Sequence, residues 1–223
     1  MADFDVLPDH TALINIDMQN WFVTKAYHGL ETLKRINRLA ELCRAAGILV
    51  IHTRAVLRRD GSNMGVMGEM TPIVREGVIT EGNETAALHR DLVVAASDVL
   101  VEKPRFGAFH GSDLEVILRS RGIDTVIISG ISTEACCDTT AREAHARDFR
   151  VLFLSDGTAS GWHDREKAES AHQAALDVLG GLFAHVLTIG ELSRSIGGPA
   201  QGAPANSRES GRSRGRVDDD NTS

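Results

Sequence analysis

The stretch from 122 to 144, GIDTVIISGISTEACCDTTAREA, contains the pattern that most restricts the fold of this chain. Its β-branched run at 126–128 is typical of a strand buried on both faces. Small residues at 129–133 predict a turn, and the Ala-rich, charged segment 134–147 predicts a helix. A strand buried on both faces needs helices above and below it, so this stretch favours an α/β fold.

Other segments repeat the alternation of strands and helices along the chain. Short apolar runs predict strands at 11–16, 48–53, 99–101, 125–129, 150–155 and 185–189. Helical patterns fall at 30–46, 86–92, 112–121, 134–147 and 165–179. The Gly- and Met-rich segment 54–84 predicts a long irregular loop that leaves the sheet, which we call the excursion. The predicted fold class is α/β, a doubly wound, mostly parallel six-stranded sheet with helices on both faces.

Length and composition indicate how the chain is divided. A chain of 223 residues is long enough for one domain with a sizeable core, which we assign to residues 1–194. From 195 to 223 the residues are mainly Gly, Pro, Ser, Arg and Asp, and this composition predicts a disordered tail.

Charge and cysteine content exclude several classes of protein. A net charge of −7 argues against binding to nucleic acid or to anionic membranes. No apolar run approaches the length of a membrane span, and the first residues lack the basic and apolar regions of a signal peptide. Cys43, Cys136 and Cys137 cannot form a disulfide framework, so we expect a cytoplasmic protein.

Three chemically reactive residues follow predicted strands. Asp17 follows the first strand, Lys103 the third and Cys136 the fourth. The carboxyl ends of parallel strands meet at one edge of the sheet, where ligands bind near the point at which strand order reverses. An acid, an amine and a thiol at that edge would form a nucleophilic site, and we expect the start of the helix to favour the thiolate of Cys136.

Each of these residues also has an ordinary structural explanation. Cys136 could be a small buried hydrophobe, Asp17 a turn residue or helix cap, and Lys103 a solvated surface lysine. The occurrence of all three at strand ends favours the functional interpretation over three separate structural ones.

Three segments carry a resemblance to a known family. They are D-M-Q-N-x-F at 17–22, K-P-R-F-G-A-F at 103–109 and G-I-S-T-E-A-C-C-D-T-T-A-R-E-A at 130–144. With them, the chain resembles the isochorismatase-like cysteine hydrolases over residues 11–192. The third segment is the most specific of the three.

The resemblance implies a site as well as a fold. Carried over by position, Asp17, Lys103 and Cys136 become a catalytic triad, and the backbone N–H groups of Ser132 and Cys136 become an oxyanion hole. The family's cis peptide maps to the bond between Ile131 and Ser132. The resemblance also implies a homo-oligomer.

Differences among family members narrow the implied chemistry. Members that hydrolyse a vinyl ether lack the cysteine, and the nicotinamidase branch carries an Asp-x-His metal motif after its second strand. Here residues 53–56 read Thr-Arg-Ala-Val, so we predict neither a metal nor another cofactor. The resemblance then implies hydrolysis of a small amide or ureido (carbamoyl) compound through a thioester, with release of ammonia. The stretch 103–106 looks most like ureidoacrylate, biuret and N-carbamoyl-amine hydrolases.

Aromatic and polar residues close to the reactive ones are candidates for binding the substrate. Aromatic side chains could form the walls of a pocket, arginines could hold a carboxylate or ureido oxygen, and an amide could orient Asp17 or the substrate. The candidates are Asn20, Trp21, Phe22, Arg54, Arg105, Phe106 and Phe109. Core packing and solvated surface charge remain the alternative explanations for them.

Two other functions stay open at the level of the sequence. One is a non-catalytic family member that binds a small ligand. The other is a phosphatase resembling the haloacid dehalogenases, which also place an aspartate after strand one and a lysine later. That chemistry needs a second acidic residue two positions after the first, and Gln19 stands there.

Overall fold

All six strands run parallel in one sheet in the computed structural model, which describes residues 6–197. The strands are β1 (Thr11–Ile16), β2 (Leu49–Ala55), β3 (Val99–Lys103), β4 (Thr125–Ile131), β5 (Arg150–Ala159) and β6 (His185–Leu187), arranged in the order 3-2-1-4-5-6. The predicted fold class is confirmed, and the sheet is parallel throughout rather than mostly so.

Eight helices connect or cover these strands. They are α1 (Asn20–Lys25), α2 (Gly29–Ala45), α3 (Met67–Met70), α4 (Pro72–Arg75), α5 (Leu114–Ser120), α6 (Asp138–His145), α7 (Arg165–Leu182) and α8 (Ile189–Gly197). Short 3₁₀ turns occur at Pro8–His10 and Glu84–Ala86, and a single π-helical turn at Thr133–Cys137 precedes α6.

The two central strands, β1 and β4, are buried at every position because helices cover both faces of the sheet. Ile14 of β1 packs in the cluster that includes α5, α6 and α7 residues, whereas its neighbour Leu13 packs in the cluster with α2 and α8. Strand order reverses between β1 and β4, since β2 and β3 lie on one side and β5 and β6 on the other. In open parallel sheets this reversal opens a crevice at the carboxyl ends of the strands.

The segment 56–83, which follows β2, forms a small apolar cluster of its own. Leu57, Val74 and Ile79 are almost completely buried there, and Trp21 and Phe22 of α1 pack against them. The long excursion predicted at 54–84 is therefore a packed wall above the carboxyl edge of the sheet.

Two segments differ from the sequence-based expectation. Residues 86–92 form no α-helix: Ala86 ends a 3₁₀ turn, and a bridge to Gln19 holds Leu88 extended. The turn expected at 129–133 begins later, because β4 continues to Ile131 by pairing with β1 and β5. Gly130 makes this pairing possible: its φ is 123°, and a Cβ there would lie 2.1 Å from the carbonyl oxygen of Ile16.

Helix α8 continues to Gly197, three residues into the segment 195–223 that the composition predicts to be disordered. The rest of that segment lies outside the described residues. Within residues 6–197, no helix combines the length and the apolar character needed to cross a membrane.

Candidate active site

Asp17 lies directly after β1 in a left-handed conformation, with φ of 48°, and its side chain is completely buried. Two hydrogen bonds with Thr53 of β2 hold it in place. The backbone N–H of Asp17 donates to Thr53 Oγ1 at 3.1 Å, and this hydroxyl donates to Asp17 Oδ1 at 2.7 Å. The other carboxylate oxygen, Oδ2, is left to face the end of β3.

Lys103 is the last residue of β3, and its buried ammonium forms an ion pair with Asp17. The distance from Nζ to Asp17 Oδ2 is 2.7 Å, and Nζ also donates to the carbonyl oxygens of Arg105 and Phe106, both at 2.9 Å. The two carbonyl oxygens take hydrogen bonds from the ammonium, and the close contact with Asp17 Oδ2 is an ion pair. Burial is the largest single effect and disfavours the charged form, but the charge and hydrogen bonding of Asp17, together with the two neighbouring cysteines, outweigh it and raise the pKa of Lys103 above its ordinary value.

Cys136 lies in the π-helical turn after β4, at the edge of the cavity described below, and is 6% exposed. The peptide bond between Ile131 and Ser132, just before this turn, is cis. Burial raises the pKa of the Cys136 thiol to about 12, against the opposing effect of Lys103, and Asp17 adds to the rise. The backbone N–H of Ser132 lowers this pKa, as expected for the start of a helix, but the loss of hydration has the larger effect.

A cavity of about 310 Å³ opens above these residues. Lys103, Ser132 and Cys136 lie at its floor, and Asp17 lies beneath, behind Lys103. The structure thus brings together the three reactive side chains and Ser132, which the sequence places far apart. Because the sulfur is protonated at rest, a carboxylate beside it is the group that could accept its proton.

Four of the predicted substrate-binding residues line the cavity. Trp21 and Phe22 come from α1, and Arg105 and Phe106 follow β3. Arg105 donates from Nη1 to the carbonyl oxygens of Asn63 and Pro104, so its guanidinium is fixed by backbone groups.

Three other predicted substrate-binding residues do not line it, and these expectations are corrected. Asn20 points away from Asp17, and its amide donates to the carbonyl oxygen of Glu84. Arg54 pairs with Glu102 on the edge strand, since alternate residues of β2 face opposite sides of the sheet. Phe109 is buried in the main core and leaves no face for a ligand.

Two groups of residues at the site are not evident from the sequence. One is Thr53, whose hydroxyl orients Asp17; its place on the strand beside β1 was the only signal. The other is the outer wall from the excursion, which has no periodicity to reveal it and consists of Met67, Thr71, Ile73, Val74 and Ile79. Lys25, Gly161 and His163 complete the rim.

Across residues 6–197, no three His, Cys, Asp or Glu side chains lie close enough together to hold a metal ion. In the stretch 53–56, where the resemblance would place a carboxylate and an imidazole, Thr53 hydrogen-bonds to Asp17 and Ala55 packs in the excursion cluster. These residues do not form a donor set.

Comparison with known proteins shows which family of proteins this chain resembles. The Isochorismatase domain matches residues 11–191. Nicotinamidase 3 of Arabidopsis thaliana is 33% identical over 187 residues, covering 83% of this chain and 88% of that protein. The ureidoacrylate amidohydrolase RutB of Methylorubrum extorquens is 29% identical over 173 residues, covering 67% and 70%.

Solved structures agree with these relatives. A cysteine hydrolase from Pseudomonas syringae pv. phaseolicola 1448A superposes with a TM-score of 0.81 at 30% identity, covering 87% of this chain and 95% of that one. An isochorismatase family protein from Burkholderia thailandensis gives 0.76 at 28% identity, covering 87% and 99%. Sequence and overall fold thus agree, and the chain belongs to the isochorismatase family of hydrolases.

Proposed function

We propose that the protein is a cysteine-dependent amidohydrolase that cleaves a small amide or ureido compound and releases ammonia. Cys136 is the nucleophile, Asp17 the general base and Lys103 the cation that stabilises their charges. The observation that carries this proposal is the buried ion pair of 2.7 Å between Lys103 and Asp17, beside a protonated thiol on the floor of one cavity.

The reaction would proceed by acyl transfer. Asp17 accepts the proton of Cys136 as the sulfur attacks the carbonyl carbon, and Lys103 offsets the negative charge that forms. The C–N bond then breaks, the nitrogen takes the proton from Asp17, and ammonia leaves a thioester on Cys136. Water, deprotonated by the same carboxylate, attacks the thioester and releases the acid and the free thiol.

An oxyanion forms at both attacks and needs hydrogen-bond donors. We assign this role to the backbone N–H groups of Ser132 and Cys136. A backbone hydrogen bond from Ser132 lowers the pKa of the Cys136 thiol, and this interaction between the donor and the attacking sulfur supports the assignment. Loss of one such donor typically lowers the rate about 100- to 1,000-fold.

The names of two relatives suggest compounds for a first assay. Nicotinamidase 3 and the ureidoacrylate amidohydrolase are named for an aromatic amide and for a ureido acid. We therefore propose to measure ammonia release from nicotinamide, ureidoacrylate, biuret and N-carbamoyl amino acids.

The decisive comparison is between Cys136→Ala and Cys137→Ala. Both cysteines are buried, but Cys137 points to the carbonyl oxygen of Ser129 instead of lining the cavity. We expect Cys136→Ala to lose at least about a thousandfold in kcat, as loss of a nucleophile does, and Cys137→Ala to stay within about tenfold of wild type. Hydrolysis that survives in Cys136→Ala would reject the mechanism, and absence of turnover on the whole panel would favour a ligand-binding protein.

We also propose that the protein is a homo-oligomer located in a reducing cytoplasm, and that its folded domain spans residues 1–194. The free thiols of Cys43, Cys136 and Cys137 support the compartment. Met70, which is 78% exposed on the excursion, is a candidate contact between subunits. Light scattering on the purified protein tests the oligomer, and a monomer at all concentrations would contradict it.

A further inference from the structure

The outer wall of the cavity is apolar. Met67, Ile73 and Ile79 of the excursion line it together with Trp21 and Phe22 of α1, which pack against the same apolar cluster. Desolvation of these side chains by a bound ligand is favourable only if the ligand presents apolar surface to them. A ligand made only of amide and carboxylate groups would lose hydration along this wall without gaining a hydrogen-bond partner.

The charged groups around the cavity are all basic. Lys25 and Arg105 lie on its lining together with Lys103, and no aspartate or glutamate does. Lys103 is neutralised by Asp17, whereas neither Lys25 nor Arg105 forms an ion pair with a described residue. Lys25 Nζ instead lies 5.1 Å from the centre of the Trp21 ring, and Arg105 contacts only backbone carbonyl oxygens.

We propose that the natural ligand is an amphiphilic anion: an amide or ureido compound with an apolar body of about leucine size and a carboxylate. Its carbonyl carbon lies at Cys136, its apolar body lies against the wall that α1 and the excursion form together, and its carboxylate meets Arg105 and Lys25. This inference rests on the proposed function for the position of the carbonyl. The cavity volume of about 310 Å³ is at the lower end for ligand sites, so the body is small.

Three ligands separate the two features. N-Carbamoyl-DL-leucine has both, N-carbamoylglycine lacks the apolar body, and isopentylurea lacks the carboxylate. Burial of one methylene improves binding about fourfold, so an isobutyl group that is even partly enclosed gives at least about tenfold. A charge-assisted hydrogen bond to a guanidinium gives a similar factor.

The binding of these ligands is measured by calorimetry with Cys136→Ala, so that no turnover occurs during the titration. We expect the dissociation constant of N-carbamoyl-leucine to be at least tenfold lower than that of either other ligand. If N-carbamoylglycine binds as tightly as N-carbamoyl-leucine, the ligand does not need an apolar body. If isopentylurea binds as tightly as N-carbamoyl-leucine, the ligand does not need a carboxylate. If none of the three binds, the whole inference is wrong.

Paired substitutions in the same background locate each feature. Ile73→Ser is compared with Val66→Ser, whose side chain is 68% exposed and does not line the cavity. The preference is the ratio of the dissociation constants of N-carbamoylglycine and N-carbamoyl-leucine. We expect Ile73→Ser to reduce this ratio at least threefold and Val66→Ser to leave it unchanged. Equal effects of the two variants would contradict an apolar subsite at this wall.

Lys25→Gln is compared with Lys34→Gln, an exposed lysine of α2 away from the cavity. We expect only Lys25→Gln to weaken both carboxylates while leaving isopentylurea unchanged, because the uncharged ligand does not use the ammonium. Weaker binding of all three ligands would show a loss of structure and contradict the assignment of a carboxylate contact.

Turnover by wild type separates this inference from the proposed function. If wild type releases ammonia from all three compounds without preference, the hydrolase proposal stands and the ligand class is wrong. If Cys136→Ala binds N-carbamoyl-leucine selectively but wild type does not cleave it, the ligand class stands and the hydrolase proposal fails.

Discussion

Thr53 is the residue that fixes the orientation of the proposed base. It accepts a hydrogen bond from the backbone N–H of Asp17 and donates one to Oδ1, so Oδ2 is directed at Lys103. A valine has nearly the same shape but can do neither. Thr53 therefore acts as a positioning residue that does not itself contact the substrate cavity.

We predict that Thr53→Val lowers kcat about tenfold, since loss of a buried hydrogen bond costs about 1–3 kcal/mol and 1.4 kcal/mol corresponds to tenfold in rate. Thr53→Ser keeps the hydroxyl and should stay within about threefold of wild type. Steady-state kinetics of both variants make the comparison. A uniform loss in the two would indicate that packing of the methyl group, and not the hydrogen bonds, positions Asp17.

The high pKa of Cys136 predicts how its reactivity changes with pH. At a pKa of about 12 the thiolate fraction rises tenfold with each pH unit between 7 and 9, so alkylation by iodoacetamide should accelerate by the same factor. Asp17 contributes to this pKa and Lys103 opposes it. Asp17→Asn should therefore lower the pKa of Cys136 and speed alkylation at pH 8 by roughly tenfold, which a pKa lower by about one would give.

This result has the opposite sign to the effect on catalysis, because Asp17→Asn also removes the base needed in both attacks. Peptide masses separate Cys136 and Cys137 from Cys43, and fragmentation of the labelled peptide by tandem mass spectrometry distinguishes Cys136 from the adjacent Cys137. If alkylation of Cys136 slows in Asp17→Asn, or does not depend on pH in wild type, the thiol is not controlled by the groups assigned here.

At the scale of elements, the sequence located strands well and their ends poorly. The start of β4 is evident from β-branched residues, but its extension to Ile131 depends on pairing with β1 and β5, which no local pattern encodes. Helix α1 was missed because the adjacent apolar residues Trp21, Phe22 and Val23 show no helical period.

The reactive part of the site could be predicted because it uses strand ends. Asp17, Lys103 and Cys136 each follow or end a recognisable strand, and parallel strands bring such ends to one edge. The wall of the cavity could not be predicted from the sequence, because Met67 and Ile73 are positioned by the packing of an aperiodic segment against α1. The pKa of Cys136 was also out of reach, as burial is a property of the fold.

The connection between α2 and the edge of the sheet depends on Asp98. Its buried carboxylate accepts hydrogen bonds from Arg44 of α2 at 2.6 and 2.9 Å, from Ala95 N–H at 2.9 Å and from His52 of β2 at 3.0 Å. Burial opposes its ionisation, but these bonds outweigh it and lower the pKa of Asp98 to about 2. Burial also lowers the pKa of His52, which favours a neutral ring at pH 7.

We predict that Asp98→Asn lowers the free energy of unfolding by about 2 kcal/mol at pH 7, the stabilisation that the lowered pKa represents. A depressed carboxyl pKa stabilises the fold above the ordinary value near 4, and this contribution is lost as the pH falls towards 2. The difference from wild type should therefore shrink between pH 4 and pH 2 in urea unfolding. Asp91→Asn, at an exposed aspartate of the same loop, should have little effect at any pH.

At the scale of the whole molecule, one topological feature explains the position of the site. The order of strands reverses between β1 and β4, so the connections after them diverge to opposite faces and leave a crevice. Asp17 and Cys136 follow these two strands, and the next strand outward, β2, supplies Thr53. Two short segments outside the sheet, α1 and the excursion, then close the crevice into a cavity that determines what can enter.

The described residues also predict where the chain can be shortened. Residues 6–197 contain every strand of the sheet and every residue that lines the cavity, and α8 covers one face with the fully buried Leu192. We predict that a chain ending at residue 197 keeps its kcat, and that its melting temperature stays within about 2 °C of that of the full chain.

A chain ending at residue 188 lacks α8 and exposes the apolar cluster in which Leu192 is buried. Loss of one buried leucine already costs about 2–5 kcal/mol, so the melting temperature should fall by at least about 4 °C. Calorimetry and ammonia release on the two chains make the test. If the chain ending at 197 loses activity or stability, residues 198–223 contribute to the domain and its proposed boundary near 194 is wrong.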